Sequence, residues 1–278
     1  MPSNVKLRDL LETGVHFGHR TNKWNPKMRD FIFTSRNGIH IIDLQQTIAN
    51  LNAYHDMIAN LVANGGTVLF CGTKRQAQEI IAREAQRCNM PYVNQRWLPG
   101  TLTNWATIKS SIDTMKKLEK QKNSAEWDRL TKKEAALAER RLEKLRLRLG
   151  GLRDMRNLPA LLIVVDTDRE DTAVAEANAK GIPVLGIVDT NSNPDVVDYI
   201  IPGNDDAMRS IRLLVAALAD AVIEGRQRGG KFTVDDEDVE FVGDTIPDID
   251  DDASDEDILG PSTLKALRDK NFFTDDDE

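Results

Sequence analysis

The chain has 278 residues, of which 40% are hydrophobic and 29% are charged, as is typical of a soluble globular protein with one or two domains. Its longest apolar stretches, such as Leu158 to Val165, are far shorter than the roughly 20 residues that cross a bilayer, and the start MPSNVKLRDL lacks the apolar core of a signal peptide. We therefore expect a cytoplasmic protein with no membrane partner, and we interpret Cys71 and Cys88 as reduced, buried thiols rather than as a disulfide or zinc pair.

The net charge of −8 combines two oppositely charged parts. Residues 232–278 carry 18 acidic and 3 basic side chains, a net charge of −15, whereas residues 1–231 carry 27 acidic and 34 basic side chains, a net charge of +7. A basic body with an acidic tail suggests a polyanionic partner for the body. Because the tail has little apolar periodicity, we expect residues 231–278 to be largely disordered.

The N-terminal region begins with a short helical pattern from Val5 to Thr13, which Gly14 ends. Residues 14–29 show neither a helical nor a strand period. They place cations and histidines around two aromatic rings: His16, Phe17, His19, Arg20, Lys23, Trp24, Asn25, Lys27 and Arg29. Such a segment offers rings on which bases stack and cations that neutralise phosphates. His16 and His19 lack the two further ligands of a zinc site nearby, so we favour an RNA-contacting or structural role over metal binding.

The next segment predicts a β-hairpin and a long helix. Apolar residues from Phe31 to Thr34 and from Ile39 to Ile42 flank Asn37 and Gly38, which favour a type I′ turn. Asp43 is then expected to cap a helix that continues to Ala63.

The clearest change of pattern lies between Thr67 and Cys88. A buried strand at Val68 to Cys71 is followed by a turn and by an amphipathic helix from Arg75, and a second strand is predicted from Tyr92 to Trp97. A strand, a crossover helix and a second strand predict a parallel sheet. Lys74, Arg75, Arg96 and Asn104, at or just beyond the ends of the two strands, are then expected to form one polar surface at the carboxyl edge. In the alternative, Trp97 packs on the core and Arg96 is merely solvated.

Residues 105–152 have a different period. Trp105, Ile108, Ile112 and Met115, and later Thr131 to Leu152, follow heptad spacing, which predicts an antiparallel helical hairpin. Its second helix, from Thr131 to Leu149, would be roughly 28 Å long and would project as an arm. The many lysines and arginines of the arm, Lys109 among them, either contact RNA or are a solvated helix face.

Alternating strands and helices then resume up to a closing helix at Met208 to Ile223. Asp166, Asp168 and Asp189 end two of the strands, where α/β enzymes bind ligands. We nevertheless favour helix capping and loop hydrogen bonds for these carboxylates, because the turn at Gly72 to Lys74 lacks the GxxxxGK spacing of a phosphate-binding loop.

Nine segments in this order make the chain resemble the bacterial-type family of small ribosomal subunit protein two. They are GVHFGHRTNKWNPKM at 14–28, FIFTSRNGIHIIDL at 31–44, LFCGTKRQA at 69–77, RWLPGTLTNW at 96–105, LTKKEA at 130–135, LGGLRDM at 149–155, VVDTDRE at 164–170, GIPVLGIVDTNSNPD at 181–195 and IPGNDDAMRSI at 201–211. The resemblance covers nearly all of residues 5–226, and the acidic tail departs from it.

The resemblance implies a flavodoxin-like, doubly wound parallel sheet of about five strands in three layers, with an inserted antiparallel coiled-coil hairpin and an N-terminal β-hairpin extension. We expect three parts: residues 1–104 plus 153–230 as an rRNA-binding α/β domain, 105–152 as the hairpin, and, from composition alone, 231–278 as the tail. The implied function is that of a non-enzymatic constituent of the 30S subunit that binds rRNA at the junction of head and body and supports docking of the large mRNA-binding ribosomal protein. The alternative is a phosphate- or nucleotide-binding enzyme that uses Lys74 for phosphate and Asp166 or Asp189 for a metal.

We expect small-subunit rRNA and neighbouring ribosomal proteins as partners, and neither a cofactor, a metal nor a small-molecule substrate. The candidate rRNA-binding residues are His16, Phe17, His19, Arg20, Lys23, Trp24, Asn25, Lys27, Arg36, Lys74, Arg75, Arg96, Trp97, Asn104 and Lys109.

Overall fold

A computed structural model describes residues 5–124, 127 and 131–230. These residues form two compact units: the described residues of 1–105 and 146–230 make up the first, and those of 106–145 make up the second. The predicted acidic tail, 231–278, lies outside the described residues. No helix in the described part of the chain is long and apolar enough to cross a membrane.

The N-terminal part of the first unit contains a short helix, a small antiparallel sheet and a long helix. Its elements are α1 (Leu7–Thr13), β1 (Phe17–Arg20), β2 (Ile32–Arg36), β3 (Ile39–Ile42) and α2 (Leu44–Ala63). β3 lies between the other two strands and pairs antiparallel with both. Between β2 and β3, Asn37 and Gly38 have φ angles of 53° and 74°, the left-handed values that a type I′ turn requires.

Residues 14–29, which show no helical or strand period in the sequence, contain the strand β1. Phe17 is opposite Ile41 and Arg20 is opposite Ile39, so β1 is held by a partner strand much later in the chain. The strand sequence FGHR does not alternate between apolar and polar residues, and the register shifts between Phe17 and Arg20, so the local sequence carries no strand signal.

The remaining elements build a larger sheet and its flanking helices. In chain order they are β4 (Val68–Cys71), α3 (Arg75–Arg87), β5 (Tyr92–Val93), α4 (Trp105–Lys122), α5 (Lys132–Leu149), β6 (Leu161–Val165), α6 (Asp171–Lys180), β7 (Val184–Val188), β8 (Tyr199–Pro202) and α7 (Met208–Arg228). Among the described residues the sheet has five strands in the order β5-β4-β6-β7-β8, and every neighbouring pair is parallel. The predicted α/β class is confirmed, and this strand order is consistent with a flavodoxin-like fold.

The core lies on both sides of this sheet, since every residue of β4, β6 and β7 is buried. Alternate residues of these strands, such as Phe70, Ile163 and Ile187, join one cluster with the apolar faces of α2, α3 and α7. Gly225 of α7 permits the close approach of α2, because a Cβ there would lie 2.5 Å from the carbonyl oxygen of Ala59.

β5 is shorter than predicted and ends at Val93 instead of Trp97. Beyond it, the Asn94 side chain donates to the carbonyl oxygen of Gln78 at 3.1 Å, and the indole of Trp97 donates to Glu176 at 3.0 Å. A backbone carbonyl of α3 and a side chain of α6 therefore hold the chain away from the sheet.

The second unit contains most of α4 and α5. The buried residues of α4 include Ile108, Ile112 and Met115, which stand at the predicted heptad positions. Lys122 of α4 and Glu139 of α5 form an ion pair of 2.5 Å.

Candidate nucleic-acid interface

The carboxyl ends of the parallel strands bring together charged residues that are far apart in sequence. Lys74 follows β4 and is the N-cap residue of α3, Asp166 follows β6, Asp189 follows β7, and Asp205 and Asp206 lie in the loop after β8. We refer to the four aspartates, Asp166, Asp189, Asp205 and Asp206, as the carboxylate cluster.

Lys74 points into the carboxylate cluster. Its Nζ atom lies 3.3 Å from Asp166, 2.8 Å from Asp205 and 2.5 Å from Asp206, and its side chain is only 13% exposed. Burial disfavours the ammonium, but the hydrogen bonds and charges of the aspartates outweigh it and raise the pKa of Lys74. Lys74 thus neutralises carboxylates of its own chain, which argues against its predicted place on an exposed cationic surface.

One ammonium cannot neutralise the whole carboxylate cluster. Asp205 is fully buried, and burial together with repulsion from Asp166 and Asp189 raises its pKa to about 7 in spite of Lys74. Its second oxygen, Oδ2, has no hydrogen-bond partner among the described residues. This side of the carboxyl edge is therefore acidic, and it does not attract a polyanion.

His19 connects β1 to the same cluster. Its Nδ1 lies 3.2 Å from Asp189 Oδ2, and its Nε2 lies 3.5 Å from Asp206 Oδ2. Interaction with the Asp189 carboxylate raises the pKa of His19, whereas burial lowers the pKa of His16. The structure therefore places His19 between its own chain's aspartates, where it holds the N-terminal segment.

Thr190 fixes this segment over the end of β7. Its Oγ1 accepts the backbone N–H of His19 at 2.8 Å, and its carbonyl oxygen accepts that of Asn25 at 2.8 Å. Gly18 is packed so closely here that a Cβ would lie 2.6 Å from Thr190 Cγ2. Only glycine permits this approach, and the segment is thereby docked on the sheet.

The strand pairing places cations and apolar side chains together on one face of the small sheet. Arg20 of β1 and Arg36 of β2 both lie opposite Ile39 of β3, and Phe17 lies opposite Ile41. Both arginines are exposed, Phe17 is 47% exposed and Ile39 is 36% exposed. We call Phe17, Arg20, Arg36 and Ile39 the outer face. It combines an aromatic ring with cations, the pattern that the sequence predicted for this region.

The connection between β1 and β2 carries four more of the predicted residues. Lys23 is exposed, and Trp24 is 36% exposed with its ring 5.2 Å from that of His40. Asn25 caps the 3₁₀ turn Pro26–Phe31 by accepting the backbone N–H of Lys27. The side chain of Lys27 pairs with Asp195 at 2.5 Å and so fastens the connection to the body.

The loop after β5 is organised by Glu176 of α6, a residue that the sequence analysis missed. The buried carboxylate of Glu176 accepts hydrogen bonds from Trp97 Nε1 at 3.0 Å, from the backbone N–H groups of Gly100, Leu102 and Thr103 at 2.8 to 3.0 Å, and from the Thr103 hydroxyl at 3.0 Å. Trp97 is only 7% exposed, which favours the alternative in which this ring packs on the core. Nothing in the sequence around Glu176 indicates that its partners lie in another loop.

The other predicted residues are spread over the surface. Arg75 is exposed in the first turn of α3, Arg96 is exposed at the start of the loop after β5, and Asn104 is half-buried with its N–H bonded to the carbonyl oxygen of Gly100. Lys109 is exposed on α4 in the second unit. The structure therefore brings together the residues of the outer face. Lys74 differs from them, because its charge is neutralised by aspartates of its own chain.

Across 5–124, 127 and 131–230, no three histidine, cysteine or acidic side chains are arranged so that they could hold a metal ion.

Comparisons with known proteins agree with the nine segments found in the sequence. The family model of ribosomal protein S2 matches residues 10–225. The chain is 54% identical to small ribosomal subunit protein uS2 of Nitratidesulfovibrio vulgaris (strain DP4) over 221 residues, which are 80% of this chain and 87% of that protein. It is also 54% identical to the uS2 protein of Desulfovibrio desulfuricans, over 81% of this chain and 87% of that protein. The identity to the uS2 protein of Lawsonia intracellularis is likewise 54%, over 80% of this chain and 76% of that protein. The chain belongs to the ribosomal protein S2 family.

Proposed function

We propose that the protein is a structural constituent of the small ribosomal subunit, where it binds small-subunit rRNA and takes part in translation in the cytoplasm. The observation that carries this proposal is 54% identity to proteins named small ribosomal subunit protein uS2 over four fifths of the chain. The enzyme alternative finds no support, because the family is one of ribosomal proteins. In addition, Lys74 pairs with Asp166, and Asp189 pairs with His19.

A finer proposal places the protein at the junction of the head and body of the subunit, where it supports docking of the large mRNA-binding ribosomal protein. The resemblance of the nine segments to the family supports this position. Contact with neighbouring ribosomal proteins and the lack of a small-molecule substrate belong to the same proposal.

The outer face is the part of the predicted site that we propose as the main rRNA contact. Phe17 offers an exposed ring, and Arg20 and Arg36 offer two exposed cations on either side of Ile39. Lys23 and Trp24 extend this surface along the chain. His19, Asn25 and Lys27 serve mainly to hold the segment on the body, as their contacts with Asp189, Thr190 and Asp195 indicate.

We also propose that residues 1–104 and 153–230 form the rRNA-binding domain, with the small sheet as an N-terminal β-hairpin extension. Residues 105–152 form an inserted coiled-coil hairpin, and 231–278 an acidic tail. The division of the described residues near positions 105 and 146, the buried heptad positions of α4 and the ion pair between Lys122 and Glu139 support the hairpin.

Binding of the full-length chain to small-subunit rRNA tests the outer face. The double variant Arg20→Gln/Arg36→Gln should bind more weakly, and the slope of log affinity against log salt should become shallower by about 2, since each lost phosphate contact removes about 1. The matched control is Arg209→Gln/Arg212→Gln, which removes two exposed arginines from α7. Equal binding by both double variants would remove the outer face from the interface.

A further inference from the structure

A cleft at the carboxyl edge of the large sheet lies where ligands bind in open α/β folds. From β4 the chain continues to β5 on one side, whereas β6 lies on the other side of β4, so the strand order reverses between β4 and β6. Ligands of doubly wound sheets occupy the crevice at such a switch point. Here, residues that follow β4, β5 and β6 line a cavity of about 330 Å³.

Two arginines give this cleft its charge. Arg96 comes from the loop after β5 and Arg169 from the loop after β6, and both are exposed. Arg169 is oriented by Thr73, whose Oγ1 accepts from its Nε at 3.2 Å. Planar guanidinium groups form paired hydrogen bonds with phosphate oxygens, which makes arginine well suited to phosphate recognition.

The floor and wall of the cleft are held by buried contacts. Thr73 donates its N–H and its hydroxyl to Glu170 Oε1 at 2.8 and 2.6 Å, so the one carboxylate of the cleft already receives hydrogen bonds from its own chain. On the other side, Trp97 is fixed by its bond to Glu176. The cleft is therefore formed before a ligand enters it.

The contrast with the carboxylate cluster shows how charge is divided along this edge. Lys74, the phosphate residue of the enzyme alternative, pairs with three aspartates. Arg169, which was not among the predicted residues, lines a cleft together with Arg96 and one carboxylate, that of Glu170. We propose that the cleft between Arg96 and Arg169 binds a backbone phosphate of rRNA. This assignment rests on the proposed function and adds a second contact site, separate from the outer face.

The test measures the affinity of the full-length chain for small-subunit rRNA over a series of salt concentrations. For Arg169→Gln we expect about tenfold weaker binding and a salt slope shallower by about 1, as for one lost charged phosphate contact. Arg169→Lys keeps the charge but not the planar geometry, so it should retain the slope and lose part of the affinity. Arg212→Gln, an exposed arginine of α7, should behave as the wild type. The thermal midpoints of all variants show whether each remains folded.

A second arm distinguishes rRNA from free phosphate as the ligand. Inorganic phosphate or a nucleoside monophosphate is added at constant ionic strength, and the thermal midpoint is recorded. An unchanged thermal midpoint in the presence of these phosphates, together with the expected loss of rRNA affinity in Arg169→Gln, supports an rRNA phosphate as the ligand. The opposite result is a rise in the thermal midpoint that Arg169→Gln abolishes, while the variant binds rRNA as well as the wild type. It overturns the rRNA assignment and identifies a free phosphate site. If the wild type binds rRNA and all variants bind it equally well, the cleft assignment alone is wrong. If the wild type does not bind rRNA, both the proposed function and the cleft assignment are wrong.

Discussion

At the residue scale, the buried carboxylate of Asp205 is the most unusual group in the structure. It lies next to Lys74, yet full burial, together with repulsion from two further aspartates, raises its pKa to about 7. A carboxylate with a raised pKa binds its proton more tightly in the folded state than in the unfolded state. It therefore contributes stability at low pH, and this contribution is lost as the pH rises from about 4 to about 7.

Asp205→Asn should remove this pH dependence. Between pH 5 and 7 we expect the free energy of unfolding of the wild type, relative to the variant, to fall by up to about 1.4 kcal/mol per pH unit, the value for one proton. Urea unfolding at several pH values measures the difference. Parallel curves for the two proteins would show that Asp205 titrates normally.

Glu176 provides a second test at this scale. Glu176→Gln replaces one acceptor oxygen with an amide nitrogen, so that either the donors of Trp97 and Gly100 or those of Leu102 and Thr103 face another donor. Since each buried unsatisfied group costs about 1 to 3 kcal/mol, we expect a loss of at least about 2 kcal/mol in unfolding free energy and faster hydrogen exchange in residues 97–104. Glu79→Gln, an exposed residue of α3, is the control. Slow exchange that persists in the Glu176 variant would contradict the role assigned to this carboxylate.

These residues show what a sequence can and cannot indicate. The position of Lys74 after a strand followed from the pattern of Val68 to Arg75, because the strand, turn and helix are local. Its partners could not be predicted, because Asp166 and Asp205 lie in loops that follow other strands. Only the order of the strands in the sheet brings these residues close to Lys74. Glu176 was missed for the same reason.

At the scale of elements, the small N-terminal sheet depends on a few close contacts with the large one. Gly18→Ala would place a Cβ 2.6 Å from Thr190, next to the hydrogen bond that Thr190 accepts from His19. We expect a loss of about 1 to 3 kcal/mol from this overpacking, and weaker rRNA binding as the outer face loses its support. Gly150→Ala is the matched control, because a Cβ there meets nothing within 4 Å. If both variants unfold at the same urea concentration, β1 is not docked in this way.

The heptad-patterned region can be tested by deletion. Replacing residues 106–145 with a short glycine-rich loop should leave a folded sheet domain, because these residues belong to a unit of their own and loop closure costs little. Circular dichroism and cooperative unfolding report on the remaining domain. Loss of cooperativity would mean that the helices are needed for the core, and a folded domain that no longer joins subunits would identify them as a docking element.

Elements with strong local patterns were predicted more accurately than those held by distant partners. α2 begins after Asp43, whose side chain accepts the N–H of Gln45 as an N-cap, and the structure confirms this helix to Ala63. β5 ends earlier than predicted because Glu176 binds Trp97 and holds the following residues away from the sheet. β1 was not predicted because it depends on pairing with β3.

At the scale of the whole molecule, charge is distributed unevenly. Residues 1–231 carry a net charge of +7, but the carboxylate cluster makes one side of the sheet edge acidic. The exposed cations of the outer face and the cleft lie outside that cluster. Binding to rRNA should therefore proceed through separate basic areas. It should weaken steeply as salt rises, because the release of counterions into a more concentrated salt solution contributes less free energy.

Sedimentation of the full-length chain with ribosomal subunits tests the central claim most directly. Cells that produce a tagged copy are lysed at low salt, and the lysate is separated on a sucrose gradient. We expect the chain to migrate with the small subunit in about equal molar amount, and to dissociate when the gradient is repeated at rising salt, as phosphate contacts require. A chain that stays at the top of the gradient at the lowest salt, with small subunits intact below it, would contradict the account.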